Sequence, residues 1–237
     1  FWALAAAFIV DFLGYAFIVP ILPSWKAQFA LSNTQATALV SLWAVPLFIF
    51  GPKTGRITDR FGAGKTILAS LFFLTISALL YLVATMDLPI NGFYILALAR
   101  LIHGASGAAI LTAGFAAASQ IWPTRFGEMS GKLIAMATIG GLLGPVIGGI
   151  SYEIDPNLAF ILLAILTAGV IPLIYVTTND LGKVDEPVQG GVPISVFINN
   201  PVLFRIGLLV MMTTLATGAL EAGVPLFLGE SLGLNSG

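Results

Sequence analysis

Long apolar stretches separated by short polar segments dominate the chain. About 20 apolar residues are needed to cross roughly 30 Å of hydrocarbon as a helix. Barrel strands are not expected, because they alternate over shorter segments, and helices satisfy their backbone groups within each span. The pattern therefore predicts an all-α, multi-pass membrane protein. Seven stretches are long enough and are numbered here as spans 1 to 7: 2–23, 36–55, 65–86, 93–118, 131–150, 158–177 and 203–228.

Composition supports the same class. Hydrophobic residues make up 58% of the 237 positions and charged residues 9%, whereas soluble domains carry about 25% charged residues. The net charge is −1 and no basic run occurs, so nucleic acid is not expected as a partner. The sequence contains no cysteine, no metal-ligand cluster, no nucleophile triad and no nucleotide-binding fingerprint. Neither a cofactor, a metal site nor an enzyme activity is therefore expected.

The lysines and arginines between the spans predict the orientation in the membrane. Eight of the ten flank the loops that follow even-numbered spans, whereas Lys26 lies on the opposite side and Arg100 lies within span 4. These loops and the N-terminus are therefore predicted to be cytoplasmic. The polar segment 179–200 is predicted to be a cytoplasmic linker. It would join a six-helix bundle, residues 1–178, to span 7 in residues 201–237.

A charged segment joins spans 2 and 3. It reads Gly-Arg-Ile-Thr-Asp-Arg-Phe-Gly from Gly55 to Gly62 and includes Asp59 and Arg60. We expect a tight turn at the membrane surface, with Asp59 near a helix N-terminus, where its charge is favourable. A positive-inside anchor would explain the bases, but not the acid or the two glycines. The segment resembles the loop between the second and third helices of the major facilitator superfamily, although the residues directly after Gly62 are not basic.

Span 5 contains the frame Gly-x-x-x-Gly-Pro-x-x-Gly-Gly, formed by Gly140, Gly144, Pro145, Gly148 and Gly149. Glycines four residues apart form a smooth stripe that lets another helix approach closely, and the proline permits a bend. Generic tight packing is the alternative explanation of the glycine spacing. The full frame resembles the signature of the drug:proton antiporter branch of the superfamily. That resemblance implies antiport, with the frame acting through sealing and bending.

Span 4 contains Arg100 and His103 on one helical face. An arginine inside a span normally faces the bundle interior or a water-filled cavity. The surrounding residues resemble the family pattern Leu-x-x-x-Arg-x-x-Gln-Gly, with His103 replacing the glutamine. The resemblance implies that Arg100 tunes a nearby carboxylate during proton transfer. The alternative is a structural arginine that binds backbone carbonyls, and for His103 we favour a packing role with a hydrogen bond over proton carriage.

Two acids lie at membrane depth, Asp11 in span 1 and Glu221 in span 7. Intramembrane acids are costly, which makes both candidates for a substrate or proton site. Burial disfavours the charge on Asp11 and a facing Arg100 favours it, so this acid can exchange a proton. A capping role for Asp11 and an interfacial position for Glu221 are the alternatives. The two segments resemble helix 1 of the same branch and helix 7 of vesicular monoamine transporters and their bacterial relatives.

Aromatic residues near these acids are candidates for a pocket that binds a cation through ring faces. The candidates are Tyr15, Phe17, Trp43, Phe48 and Phe115. Tyr15 is grouped with the two acids, Arg100 and His103 as the predicted substrate and proton site.

The resemblance covers essentially the whole chain. It implies the major facilitator fold, with a six-helix N-terminal bundle followed by the first helix of the C-terminal bundle of a 12-helix transporter. We therefore expect a fragment that lacks the remaining helices. The full-length protein is expected to be a monomer in the lipid bilayer. Asp59 and Arg60 are expected to hold the cytoplasmic side closed by binding the other half of the transporter. Arg125 and Glu128 are expected to extend this network.

The implied function is a proton-coupled antiporter with the proton as its coupling ion. It would export or sequester hydrophobic, cationic small molecules by alternating access. Two alternatives stay open. One is an uncoupled facilitator or a symporter of a neutral solute. The other is a membrane protein that does not transport, either a sensor or a truncated remnant.

Overall fold

The computed structural model describes residues 1–86, 91–178, 181 and 194–231. Five helical segments in these ranges are long and apolar enough to cross a membrane, and a bent pair adds a sixth. The all-α, multi-pass prediction is therefore confirmed. The helices are α1 (Trp2–Phe17), α2 (Leu22–Gln28), α3 (Asn33–Ser41), α4 (Ala44–Phe61), α5 (Ala63–Ala84), α6 (Gly92–Ile121), α7 (Phe126–Ile154), α8 (Pro156–Thr178), α9 (Ile194–Asn199) and α10 (Pro201–Ser231).

Span 1 was predicted as one stretch, 2–23. The structure has two helices there, α1 and α2, with a bend of 47° between them. Pro20 has no backbone N–H and cannot continue the hydrogen-bond ladder. The backbone tightens there, with Val19 N donating to Ala16 O at 3.1 Å and Ile21 N donating to Ile18 O at 3.1 Å. The bend therefore follows from a proline near the end of the span.

Span 2 likewise consists of two helices, α3 and α4, which meet at Leu42 and Trp43. The expected turn over residues 55–62 is wrong in extent, because α4 continues to Phe61 and only Gly62 separates it from α5. Gly62 has a φ of 94°, a conformation that favours glycine. The charged segment is thus mostly the last two turns of a helix.

Spans 3 to 6 correspond to α5, α6, α7 and α8, and α10 runs through span 7 as one helix. Most of the predicted linker 179–200 lies outside the described residues. Within it, Ile194–Asn199 form the short helix α9. The predicted orientation of the chain relative to the two sides of the membrane stays a prediction.

Helix α1 lies in the centre of the bundle. Its apolar side chains, including Leu4 and Phe8, pack into a core shared with α5, α6, α7 and α8. A second core beyond the bend is aromatic: the ring centroid of Trp25 lies 5.8 Å from those of both Tyr81 and Phe160. Large apolar side chains such as Phe72 and Ile165 are exposed on the outer surface, as expected of helices that face lipid. The central position of α1 places Asp11 inside the protein.

Candidate functional site

Helix α10 contacts the rest of the chain through a hydrogen bond between two predicted site residues. The Tyr15 hydroxyl on α1 donates to Glu221 Oε2 on α10. Both side chains are half-buried. Nearby, Leu226 of α10 packs against Leu22 and Val40. Glu221 of span 7 thus contacts α1 at Tyr15, a residue of the same predicted substrate and proton site.

Arg100 on α6 is fully buried and binds the end of α3. Its Nε donates to Leu39 O and its Nη2 to Val40 O, both at 3.0 Å, and Nη1 lies 3.4 Å from Tyr15 O. The last carbonyls of a helix have no partner within that helix, which leaves Leu39 and Val40 free to accept. These contacts match the structural alternative for Arg100, in which the guanidinium donates hydrogen bonds to backbone carbonyls.

The same guanidinium lies over an aromatic ring. Arg100 Cζ is 5.3 Å from the centroid of the Tyr15 ring, within the range of a cation–π contact. Tyr15 therefore touches a cation with its ring and an anion with its hydroxyl. This places the Arg100 guanidinium and the Glu221 carboxylate on two sides of one side chain.

Asp11 and His103 form a second buried pair, one helical turn away from Tyr15 and Arg100. Their side chains are 0% and 1% exposed, and His103 Nε2 lies 3.4 Å from Asp11 Oδ1. The same nitrogen is 3.1 Å from the backbone oxygen of Asp11. Neither carboxylate oxygen of Asp11, nor His103 Nδ1, has a hydrogen-bond partner in the part of the chain that the structure describes. The structure thus brings Asp11 and His103, two members of the predicted substrate and proton site, into direct contact.

The aromatic pocket is only partly as expected. Trp43 packs on Tyr15 with ring centroids 4.5 Å apart and contacts His103 edge-on at 6.4 Å. Phe12, which the sequence analysis did not single out, lies 6.4 Å from Trp43. The sequence feature that could have identified Phe12 is its position directly after Asp11.

The other three aromatic candidates lie elsewhere. Phe17 is fully buried against Phe160, with ring centroids 6.2 Å apart. Phe115 packs on Phe8 at 5.6 Å, and Phe48 is 86% exposed. Three of the five candidate rings therefore lie away from Tyr15 and Trp43, because helix periodicity alone does not say which neighbour a ring meets.

The glycine frame of α7 packs on the backbone of α1. A Cβ atom added to Gly140, Gly144 or Gly148 would lie 2.2, 2.6 or 2.3 Å from a carbonyl oxygen of α1. Those oxygens belong successively to residues 9, 13 and 17, one turn apart. A Cβ added to Gly149 would lie 3.6 Å from Pro20, an ordinary contact distance, and Pro145 lies within the helix. The stripe therefore fixes α7 against the helix that carries Asp11.

The charged segment at the end of α4 shows a different arrangement from the expected one. Asp59 lies in the last turn of α4, and a helix C-terminus disfavours a negative charge. Its expected position near a helix N-terminus stays a prediction. Among the described residues Asp59 has no ion-pair partner. A Cβ added to Gly55 would lie 3.9 Å from Thr112 Cγ2, and Arg60 Cζ lies 5.2 Å from the centroid of the Phe61 ring.

Glu128, expected to extend that network, forms a local cluster instead. Its carboxylate accepts from Arg125 Nη2 at 2.7 Å and Nε at 2.9 Å, and from Lys132 Nζ at 2.7 Å. All three side chains are exposed. No contact with Asp59 or Arg60 is found in the described ranges, so the extended network stays a prediction.

An apolar groove of about 650 Å³ opens between α4, α5 and α6. Its lining side chains include Ile49, Phe73, Ile102 and Lys65. Neither Asp11 nor Glu221 lines it. The groove is therefore separate from the Tyr15–Glu221 contact and from the Asp11–His103 pair.

Comparison with known proteins gives a family match. A family model described as "Major Facilitator Superfamily" matches residues 4–237. The chain is 30% identical over 161 residues to the tetracycline resistance protein, class B, of Escherichia coli, which covers 67% of this chain and 39% of the relative. It is 25% identical over 235 residues to multidrug resistance protein 1 of Bacillus subtilis (strain 168), covering 96% and 58%.

A third relative is the quinolone resistance protein NorA of Staphylococcus aureus (strain Mu50 / ATCC 700699). It is 27% identical over 154 residues, which cover 63% of this chain and 37% of the relative. The matches to these three relatives therefore span between 37% and 58% of the relatives' own lengths.

Proposed function

Because this chain belongs to the Major Facilitator Superfamily, we propose that it is part of a proton-coupled antiporter. The family and the relatives indicate a transporter and not an enzyme. The substrate class we propose is a hydrophobic, cationic small molecule, exported or sequestered by alternating access, with the proton as coupling ion and no cofactor. The setting is a multi-pass monomer in a lipid bilayer, with its N-terminus in the cytoplasm.

The observation that carries the proposal is the half-buried Glu221 carboxylate at the contact between α1 and α10. An ionised carboxylate in an apolar protein attracts a cation, and a protonated one does not. Proton and cationic substrate therefore exclude one another at this position. Binding of a proton from the acidic side would release the substrate, and loss of the proton on the other side would restore the site.

Arg100 places a fixed positive charge beside this site. Its guanidinium lies against the ring whose hydroxyl binds Glu221. Because one face of the Tyr15 ring is occupied by Arg100, the ring face left for a cationic substrate is that of the neighbouring Trp43. An aromatic face and one exchangeable carboxylate suit an amphiphilic cation better than a neutral solute.

The packing of α1 on α7 supports movement of whole bundles. A glycine stripe in contact with carbonyl oxygens leaves no room for one helix to slide past the other. Rocking of one half against the other, the usual movement of transporters built from repeats, does not require such sliding. In this proposal Asp59 and Arg60 hold the cytoplasmic side closed by binding the other half.

The test uses the full-length protein in proteoliposomes with an imposed pH gradient and an amphiphilic cation as substrate. Substrate-driven proton flux should be present in the wild type and absent in Glu221→Gln, which keeps the size and removes the charge. Glu153→Gln is the matched control, because Glu153 is exposed near the end of α7 and should leave the flux unchanged.

Two results would contradict the proposal. One is substrate uptake in the wild type that does not respond to the pH gradient, which would favour an uncoupled facilitator. The other is coupled transport in Glu221→Gln at the level of the Glu153→Gln control, which would remove Glu221 from the exchange.

A further inference from the structure

The apolar groove between α4, α5 and α6 is a second place where the protein can hold a ligand. Helices α4 and α5 both pack along α6 but touch each other little, which leaves the groove of about 650 Å³ between them. On α4 its lining residues run from Val45 to Phe61, about 24 Å at 1.5 Å per residue. This length exceeds half of the roughly 30 Å hydrocarbon thickness of a bilayer. A lipid chain of one leaflet can therefore lie along the groove.

The walls of the groove offer an occupant apolar contact. Large apolar side chains along it, such as Ile49 and Phe73, are exposed. The hydroxyl groups of its serine and threonine lining residues each donate to a backbone carbonyl, at 2.7 to 2.9 Å; these residues are Thr54, Thr66, Ser70 and Ser106. Because these hydroxyl hydrogens are already engaged, the walls favour a hydrocarbon chain over a polar ligand.

One end of the groove is positively charged. The lining residues on α4 end at Phe61 and those on α5 begin at Lys65, so both lie where the two helices join at Gly62. Lys65 is exposed and is the charged residue among the described lining side chains. Arg60 adds a second base at this end, with Cζ 5.2 Å from the centroid of the Phe61 ring. Neither base has an ion-pair partner in the part of the chain that the structure describes.

The charge at this end selects among amphiphilic molecules. Residues 53–65 contain four bases and one acid, Asp59. One of these bases, Lys53, has its Nζ 5.5 Å from the centroid of the Phe50 ring, which also lines the groove. A cationic occupant would meet charge of its own sign, and a neutral lipid would leave Lys65 without a counter-charge. Basic residues between membrane helices favour lipids with anionic headgroups.

We propose that this groove binds one anionic phospholipid, with an acyl chain along the apolar walls and the phosphate at Lys65 and Arg60. The apolar stem of Lys65 can lie along the groove while its ammonium group reaches a phosphate at the membrane surface. Because Glu221 does not line the groove, the lipid does not compete with a substrate at that acid. The proposal is therefore independent of the proposed antiport, and binding alone tests it.

The first experiment is native mass spectrometry of the full-length protein in detergent, mixed with dioleoyl phosphatidylglycerol or dioleoyl phosphatidylcholine. The two lipids share their chains and differ in headgroup charge, and one phosphatidylglycerol molecule should bind more tightly than phosphatidylcholine. Lys65→Gln should weaken phosphatidylglycerol binding about five-fold, the effect of one lysine near anionic lipid, and leave phosphatidylcholine binding unchanged. Lys132→Gln is the matched control, because Lys132 is an exposed base on α7 outside the groove, and it should change neither.

The second experiment fills the groove without changing its charge. Ala105→Phe places a ring in the wall formed by α6, and Ala135→Phe makes the same change at an exposed position of α7 outside the groove. Phosphatidylglycerol binding should fall several-fold in Ala105→Phe and stay unchanged in Ala135→Phe. Equal binding of the two lipids by the wild type, or phosphatidylglycerol binding that neither Lys65→Gln nor Ala105→Phe weakens, would overturn the proposal. Absence of bound lipid would also overturn it and would indicate that other helices of the full-length protein cover the groove.

Discussion

Adding one methyl group to the glycine stripe of α7 should separate packing from helix propensity. Gly140→Ala places a Cβ 2.2 Å from Ile9 O and 3.0 Å from two further backbone atoms of the same residue. Gly141→Ala, one position along the same helix, meets no atom within 4 Å. The two variants therefore differ in the contact of the new methyl group with α1 and share the same chemical change.

The size of the effect follows from that geometry. Carbon and carbonyl oxygen usually stay at least about 3.3 Å apart, so α7 must move away from α1 by roughly 1 Å. Overpacking of this kind costs about 1–3 kcal/mol, and backbone atoms cannot rotate aside as a side chain can. Alanine gains up to about 1 kcal/mol over glycine in a helix, a gain common to both variants. Gly140→Ala should thus be less stable than Gly141→Ala by about 1–3 kcal/mol.

The assay is unfolding of both purified full-length variants in the same detergent, followed by circular dichroism and by temperature-dependent gel filtration. Gly141→Ala should unfold at or above the wild-type temperature, and Gly140→Ala should unfold clearly below Gly141→Ala. Transport should fall in Gly140→Ala alone, because α1 carries Asp11 and Tyr15. Equal stability of the two variants would show that the close approach of α1 to α7 does not exist in the protein.

Two more substitutions test local contacts. Gly62→Ala forces a non-glycine residue into φ 94° and ψ 150°, which costs about 1–3 kcal/mol. It should therefore lower the unfolding temperature more than the control Gly51→Ala, whose new methyl group meets no atom within 4 Å. Equal unfolding temperatures of the two variants would contradict the backbone conformation at Gly62. Arg100→Lys keeps the charge but not the planar, forked guanidinium. It should lose about 1.5–3 kcal/mol of hydrogen bonding to the end of α3, measured by the same unfolding assay. Wild-type stability of this variant would show that the carbonyls at the end of α3 do not depend on Arg100.

Much of the fold could be predicted because a membrane requires long apolar helices. Spans 3 to 6 match α5 to α8 since each is one apolar run with loop residues on both sides. The two broken spans were not predicted. Pro20 was visible in the sequence, but a proline near the end of a span can either bend the helix or only end it. The choice depends on packing against neighbouring helices.

The candidate site shows the same limit. Sequence spacing placed Arg100 and His103 on one face of a helix, and that holds in the structure. It did not say that Arg100 would bind the end of α3, since this requires the break between α3 and α4. It did not pair Asp11 with His103 either, because their approach across 92 positions depends on small residues at Gly14 and Gly107.

The arrangement around α1 restricts how charge can produce movement. The carbonyl oxygens that meet the α7 glycines belong to residues 9, 13 and 17, whereas Asp11 and Tyr15 lie two positions along, about 200° around the helix. One face of α1 is therefore fixed on α7, and the opposite face holds both acidic contacts. A charge change at Asp11 or Glu221 cannot shift α1 alone, so it must move α1 and α7 as one body relative to α10. In the proposed antiport, the coupling of proton and substrate acts at the contact between Tyr15 and Glu221, because there α1, held on α7, meets α10.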